Sequence, residues 1–430
     1  MDLFTDLAHR GLIQDVTDET ALRTLFATTR VTAYCGFDPT ADSLHVGSLV
    51  PLLNLARLQR AGHRPIAVAG GATGLIGDPS GKSKERLLLD AERLAANVAG
   101  IKAQIARFLD FGSEDTAARD NAALLVDNAD WLGPMSLVAF LRDIGKHFTV
   151  NYMVAKDSVK SRMNEREGGI SFTEFSYMLL QSADFLHLFR EHGCALQIGG
   201  SDQFGNITAG IELVRRVTGG QAYGLTFPLV TTAAGTKFGK TEQGTIWLDA
   251  ARTSPFQLYQ YFVRTDDRDV GKFLRWFTFL DLDEIGRLEA LRAERPGDTT
   301  AHKALAREVT TLVHGAEATQ SAIAASDLLY GGSVQGLTER DLLAAAEEIP
   351  KTEVAEPFGE ARDVIDLLSS TALVQSRGEA KRAVQQGGAY VNNERIPTEG
   401  GAVSGGRLLF GRYLLLRKGK RDYHLLVFPS

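Results

Sequence analysis

The sequence predicts an α/β protein: a parallel-sheet domain first, a helical stretch next, and a small α+β module last. Three observations carry this. Between residues 31 and 69 an apolar run, a helix-spaced stripe and a second apolar run follow one another, the pattern of a βαβ unit. Residues 255–348 repeat Leu and Ala at helical spacing behind caps such as Ser254-Pro255. Beyond Pro350 the composition shifts to short helical and strand-like runs that continue to Val427.

Taken in order, Met1–Val16 carries Asp2, Asp6, His9 and Arg10, so it reads as an amphipathic surface helix without the apolar core of a secretory signal. Val31–Phe37, rich in β-branched and aromatic side chains, reads as a strand. Leu49, Leu52, Leu53 and Ala56 fall at i, i+3, i+4, i+7 and predict a helix that Gly62 ends. Pro65–Ala69 reads as the next buried parallel strand. Helices are expected over Lys84–Phe111, 131–148 and Phe172–Arg190, and strands over Leu124–Asp127 and Leu196–Ile198. Ser171 and Glu174 have the spacing of a capping box. Pro350–Pro357, acidic and poor in large apolar groups, reads as a linker.

Composition narrows the classes. The chain has 430 residues, a net charge of −6, 44% hydrophobic and 23% charged residues, which suits several globular domains and excludes a disordered or collagen-like chain. No apolar run is long enough to predict a membrane span. Two cysteines, Cys35 and Cys194, exclude a disulfide scaffold and point to a reducing compartment. His187, His192 and Cys194 lie close in sequence, but no fourth ligand follows at metal spacing, so no bound metal is expected. Residues 361–430 hold 11 Lys+Arg against 6 Asp+Glu, while the rest of the chain is acidic. A basic module on an acidic body fits contact with an anionic polymer and equally fits a solvated surface.

Four clusters could carry chemistry. Tyr34-Cys35-Gly36-Phe37-Asp38-Pro39-Thr40 and His45-Val46-Gly47-Ser48 lie where the first strand gives way to a helix, where parallel sheets bind ligands and helix N–H groups favour phosphate. Thr40 and His45 can donate to phosphate oxygens, and Gly47 leaves room for a ring or ribose. Gly70 to Ser83 is glycine-rich and ends like a P-loop, but position 76, where that motif needs glycine, is Ile76. Here Asp78 can anchor an ammonium, and Lys82 and Arg86 can reach a polyphosphate. Tyr177, Gln181 and Asp184 share one helix face, and Gln197 and Gln203 flank Gly199-Gly200. Gly235-Thr236-Lys237-Phe238-Gly239-Lys240-Thr241 is a cationic, glycine-bracketed turn suited to charge that develops in a transition state. Taken singly, each cluster also reads as an ordinary polar turn or solvated face, and for all but the Tyr177 helix face that is the better reading.

In chain order the four clusters resemble the bacterial tyrosyl-tRNA synthetases, a family of class I aminoacyl-tRNA synthetases. The resemblance spans essentially the whole chain. It rests on Tyr34 to His45, Gly70 to Pro79, Asn151-Tyr152-Met153, Gln197 to Gln203, and Lys237-Phe238-Gly239-Lys240-Thr241. The family's His-x-Gly-His signature reads His45-Val46-Gly47-Ser48, with a hydroxyl replacing the second imidazole. Its Lys-Met-Ser-Lys-Ser signature keeps both lysines and the terminal hydroxyl.

The resemblance implies a Rossmann-like catalytic domain over 1–245, with a dimer-interface insertion near 131–155. A helical domain over 246–348, a linker over 349–362 and a small RNA-binding domain over 363–430 follow. It implies that Tyr34 and Asp184 meet the substrate phenol, and that Asp78, Tyr177, Gln181 and Gln203 hold the rest of tyrosine. ATP would lie against Cys35, Gly36, Asp38, His45, Gly47, Ser48, Gly200, Asp202 and Lys240, with magnesium accompanying it. Thr40, His45, Lys82, Arg86, Lys237 and Lys240 would stabilise phosphate charge. tRNA(Tyr) would meet Arg215 and Arg216 at its acceptor stem, and Arg377, Lys381, Arg417, Lys418, Lys420 and Arg421 on the tail. A cytoplasmic homodimeric ligase free of the membrane is the expected protein. Three rivals are a tryptophanyl-tRNA synthetase, an enzyme adenylating another small acid, and a non-catalytic RNA-binding regulator. Tyr34 paired with Asp184, the basic tail and the retained lysines argue against them.

Overall fold

A computed structural model describes residues 2–78, 90–112, 121–156, 159–160, 163, 170–233, 235, 238–241 and 244–429, with no side-chain description for Ala91, Lys240 and Thr241. The chain divides into two compact units, Met1–Thr253 with Thr265–Leu305, and Ser254–Arg264 with Ala306–Ser430.

The first unit is built on a six-stranded sheet. Its strands are β1 (Asp15–Val16), β2 (Thr32–Phe37), β3 (Arg64–Ala69), β4 (Leu124–Asp127), β5 (Cys194–Gly200) and β6 (Tyr223–Phe227). The order across the sheet is β1-β6-β5-β2-β3-β4. β2 to β6 run parallel, and β1 is antiparallel to β6 at the edge. The helix Leu49–Arg60 links β2 to β3 as the spacing of Leu49, Leu52, Leu53 and Ala56 predicts, and all four are buried. β2 has β3 on one side and β5 on the other, so the strand order reverses there. Ligands in such sheets bind outside the carboxyl ends of the strands flanking that reversal.

The helix Phe172–His192 covers one face of the sheet. Ser171 accepts from the Glu174 N–H to start it, and Gly193, at φ 62°, ends it in the left-handed conformation a side chain disfavours. Met178, Phe185 and Leu186 pack with Tyr34, Ile66 and Val68 into one buried cluster.

Some expectations are corrected. The N-terminal helix is confined to Leu3–His9, and its inner face, Leu3, Phe4 and Leu7, is buried. Residues 131–148 do not form one helix but short pieces: Ala129–Leu132, Leu137–Asp143 and a 3-10 turn at Gly145–His147. Gly133-Pro134 and Gly145 explain the breaks, since proline lacks the N–H and disfavours helix before it. Of the helix expected from Lys84, the described part is Ala91–Ile105.

The second unit joins the helices Pro255–Val263, Ala316–Leu329 and Glu339–Ala346 to a sheet module. Past the short ladder β7 (Lys240–Thr241) and β8 (Gly244–Thr245) of the first unit come β9 (Lys351–Glu353), β10 (Ala361–Asp363), β11 (Ala389–Val391), β12 (Glu394–Arg395), β13 (Ala402–Ser404), β14 (Tyr413–Lys418) and β15 (Asp422–Val427). Five of them form a sheet in the order β12-β11-β14-β15-β9. The stretch 349–362 therefore contributes a strand, β9, parallel to β15. Val364, Leu368, Val384, Leu414 and Leu426 lie in this module's buried core.

Candidate active site

The site begins at the buried floor beneath β2. Tyr34 and Asp184 are almost wholly buried. The Tyr34 ring meets Phe185 edge-on at 5.2 Å, and its hydroxyl finds no hydrogen-bond partner among the described residues. Asp184 accepts from Asn128 Nδ2 at 3.0 Å and from Trp131 Nε1 at 2.8 Å. Burial lifts its carboxyl to about 7, with the two hydrogen bonds pulling the other way. A buried acceptor beside a phenol with an unused hydroxyl can take one more polar group, and a hydroxyl on an aromatic ring matches both.

From there a polar chain runs toward the ends of β2 and β5. Asn128 Nδ2 also donates to Thr73 Oγ1 at 2.9 Å, and Thr73 donates to Asp38 Oδ1 at 3.2 Å. The Tyr177 hydroxyl donates to both Asp38 oxygens at 3.1 Å. Burial first, then the Asp38 charge, raises the Tyr177 phenol well above its ordinary range, so it stays a donor. Gln203 Nε2 donates to Asp78 Oδ2 at 2.6 Å, Gln181 Nε2 to Gln203 Oε1 at 3.2 Å, and Asn206 Nδ2 to Gln181 Oε1 at 3.0 Å. Two carboxylates, a phenol and amide oxygens thus gather in one place, the acceptor-rich setting an ammonium group needs.

At the sheet's carboxyl edge a cleft of about 260 Å³ opens, lined by Gly36, Asp38, His45, Gly47, Ser48, Gly200 and Asp202 among others. These seven were expected to meet ATP, and the fold collects them from β2, the turn between β2 and its helix, and the end of β5 with the 3-10 turn after it. Gly47 serves its own neighbour here. Its N–H donates to His45 Nδ1 at 3.0 Å, and a Cβ at this position would lie 2.7 Å from the imidazole. Cys35 is buried outside the lining, with its thiol toward the Gly36 carbonyl and pushed up to about 12 by burial. Thr40 is exposed on the loop after β2 and is not among the lining residues.

The backbone just past the lysine signature reaches the same edge. His45 bridges Trp247, and the Val46 N–H donates to the Ile246 carbonyl at 3.1 Å, so the strand leaving β8 is stitched to the His45 turn. Lys240 starts β7. Lys82, Arg86 and Lys237 lie outside the described residues. Among the described residues no group of three or more His, Cys, Asp or Glu is placed to hold a metal ion.

The basic residues assigned to tRNA have varied surroundings. Arg215 and Arg216 are exposed and paired with Glu212 at 2.8 and 2.5 Å. Arg377 pairs with Asp366, and Lys381 is exposed. Arg417 lies 3.8 Å over the Tyr390 ring, and Lys418 donates to the Leu373 carbonyl and Glu379. Lys420 and Arg421 stand exposed at the β14–β15 hairpin, where Gly419 at φ 64° makes the turn. Sequence reasoning missed Asn128, Trp131 and Thr73. Asn128 directly follows β4, at the carboxyl end of a parallel strand, and that position was the available signal.

Residues 27–331 match the family of class I tRNA synthetases for tryptophan and tyrosine, and residues 341–426 match a tyrosine–tRNA ligase C-terminal domain. The fold and cleft thus define a class I aminoacyl-tRNA synthetase. The chain is 53% identical to a tyrosine–tRNA ligase of Roseiflexus castenholzii, covering 99% of both chains. It is 51% identical to that of Geobacillus stearothermophilus over the full length of both. Among solved structures, a C-terminally truncated mitochondrial tyrosyl-tRNA synthetase of Aspergillus nidulans matches with a TM-score of 0.67 and 35% identity, covering 75% of this chain and 92% of that one. The chain belongs to the tyrosyl-tRNA synthetase family.

Proposed function

We propose that the cleft activates L-tyrosine with ATP and then passes the tyrosyl group to the terminal adenosine of tRNA(Tyr). In the first step a tyrosine carboxylate oxygen attacks the α-phosphorus of ATP in line. The bond from that phosphorus to the β-bridging oxygen breaks, and pyrophosphate leaves with the electron pair. In the second, a ribose hydroxyl of tRNA attacks the tyrosyl carbonyl, the bond to the phosphate oxygen breaks, AMP leaves, and the hydroxyl proton is lost to solvent. Neither step needs a protein nucleophile, so catalysis is positioning and charge stabilisation.

The observation that carries the reading is the buried Asp184 carboxylate beside the unpartnered Tyr34 hydroxyl. A phenol gives the Tyr34 hydroxyl a partner and Asp184 a third donor, whereas phenylalanine leaves the Tyr34 hydroxyl unpaired and adds nothing to the buried carboxylate. Asp78, Tyr177, Gln181 and Gln203 take the ammonium end, and the cleft from Gly36 to Asp202 takes the nucleotide. Thr40, His45, Lys82, Arg86, Lys237 and Lys240 take the phosphate charge. Magnesium is assigned to the phosphates of ATP, where it would screen their charge.

For tRNA, the exposed Lys381, Lys420 and Arg421 suit phosphate contacts that position an RNA without reading it. Arg215, Arg216, Arg377, Arg417 and Lys418 complete the proposed surface once their present partners are exchanged. The functional divisions are 1–245, 246–348, 349–362 and 363–430, with β9 of the 349–362 stretch paired into the sheet of the last. A homodimer through 131–155 is supported by Leu137 and Val138, each 72% exposed, and Val150, 64% exposed. Buried free thiols at Cys35 and Cys194 suit a cytoplasmic enzyme, and no helix among the described residues is long and apolar enough to cross a membrane.

The test is exchange of labelled pyrophosphate into ATP with each standard amino acid in turn. Exchange with tyrosine alone is expected. No exchange with tyrosine, or equal exchange with tryptophan, overturns the assignment.

A further inference from the structure

The segment that carries Lys237 and Lys240 lies in the chain between β6 and β8. Its outgoing stem is held by a helix that the mechanism above does not use. That helix, Val270–Phe277, belongs to the same compact unit. The residue before it, Asp269, is 2% exposed. One of its oxygens accepts the Ala233 N–H at 2.6 Å, and the other pairs with Lys272 Nζ at 2.8 Å. Lys272 Nζ also donates to the Thr231 carbonyl at 2.9 Å. Two backbone groups of one stem, a carbonyl and an N–H two residues apart, are therefore gripped by one ion pair.

The same helix grips the segment between the lysines. Phe238, 5% exposed, stacks on Phe277 at 5.1 Å and meets Phe273 edge-on at 4.9 Å. The helix is itself fixed at its far end. Arg57, buried on the helix after β2, donates to the carbonyls of Arg275, Trp276 and Thr278 at 3.2, 3.2 and 2.7 Å. This helix end is thus tied to the helix that directly follows the His45–Ser48 turn, and the Asp269–Lys272 pair ties its beginning to the stem of the lysine segment.

We propose that Asp269 and Lys272 are positioning residues for adenylate formation, setting where the lysine segment stands relative to the phosphates. This rests on the assignment of adenylate formation to the cleft. The physical argument is one of leverage. A lysine stabilises developing phosphate charge only if it is already in place, because reorganising it during the reaction costs what it contributes. A displacement of about 1 Å at such a group can cost ~100-fold in rate without touching the groups that bind the amino acid. The pair contacts neither Tyr34 nor Asp184 among the described hydrogen bonds, so tyrosine affinity is independent of it.

The test compares the full-length wild-type chain with Lys272→Met, Lys272→Arg and Asp269→Ala in tyrosine-dependent pyrophosphate exchange, with thermal unfolding as the folding control. Lys272→Met is expected to lower kcat by about 10- to 100-fold and to leave the KM for tyrosine within about twofold, the signature of a loss felt only in the transition state. Lys272→Arg, which can still reach both partners, should recover to within about threefold of wild type. Asp269→Ala should follow Lys272→Met in kcat if it folds. Lys272 is partly exposed, so the methionine variant decides the matter even if the alanine variant does not fold. Wild-type kcat in Lys272→Met, or a parallel loss of tyrosine affinity and thermal stability, overturns the proposal. A wild-type chain silent with tyrosine removes the functional reading and this inference with it, which is a different result from an active wild type with unaffected variants.

Discussion

Trp131 donates its indole N–H to Asp184 Oδ1 at 2.8 Å while the same ring stacks on His187 at a centroid distance of 4.3 Å. The indole therefore fixes the buried Asp184 carboxylate, and it is itself held from behind. It stands two residues before Gly133-Pro134, in the segment that leads to the exposed apolar helix Leu137–Asp143.

Trp131→Phe keeps an aromatic ring for the stack but removes the donor. Asp184, almost wholly buried, then loses one of its two compensating hydrogen bonds. Tyrosine binding should weaken by about 10- to 100-fold, the scale of one hydrogen bond to a buried charge. Equilibrium dialysis measures it, and wild-type affinity in the variant would mean the indole does not support the carboxylate.

The raised Asp184 carboxyl gives tyrosine binding a pH dependence whose sign can be worked out. A phenol donates to the anion, so binding favours the ionised form. Affinity should be full above about 7 and fall as the pH drops through it, by about tenfold per unit well below. The ligand-free chain behaves in the opposite sense. Its folded-state value lies above the unfolded one, so the group's contribution to stability is present below the ordinary carboxylate range and is lost as pH rises toward about 7. Titration calorimetry between about pH 5.5 and 8.5 reads the first effect, and a flat profile contradicts it.

Lys240→Ala tests the lysine segment directly. The adenylation rate should fall by about 100-fold while tyrosine affinity stays within about twofold. Rapid-quench kinetics and fluorescence binding separate the two, and a parallel loss of both makes the segment structural.

The tail sheet should be dispensable for adenylation, provided the cut falls before β9. β9 pairs with β15, so a cut at 362 would leave β9 without its neighbour. A chain ending at Ile349 should retain exchange within about twofold of the full chain and lose charging of tRNA. Loss of exchange as well would show that the module supports the first unit.

Much of this was legible because it was periodic. Tyr177, Gln181 and Asp184 recur at helical spacing, and their helix runs from Phe172 to His192 against an expectation of Phe172 to Arg190. Leu49 to Ala56 and Leu124 to Asp127 were equally plain. What was not legible comes from side chains with no period. Asn128 and Trp131 sit at a strand end and a one-turn helix, some 55 residues from the carboxylate they hold, and only the closed sheet brings them there. β1 is two residues long and holds an edge, too short for any alternation to register. Arg417 and Lys418 read as a basic tip, yet both lie within β14, where successive side chains face opposite ways, one to Tyr390 and the other to Glu379. Charge in a sequence marks where a cation is, while its partners are set by tertiary packing.

The most direct measurement is a crystal structure of the full chain with L-tyrosine and a non-hydrolysable ATP analogue. The tyrosine hydroxyl is predicted within hydrogen-bond distance of Tyr34 and Asp184, with the nucleotide in the cleft from Gly36 to Asp202 and its α-phosphorus facing the tyrosine carboxylate. Tyrosine and nucleotide in separate cavities, or a phenol pointing away from Asp184, would contradict the account.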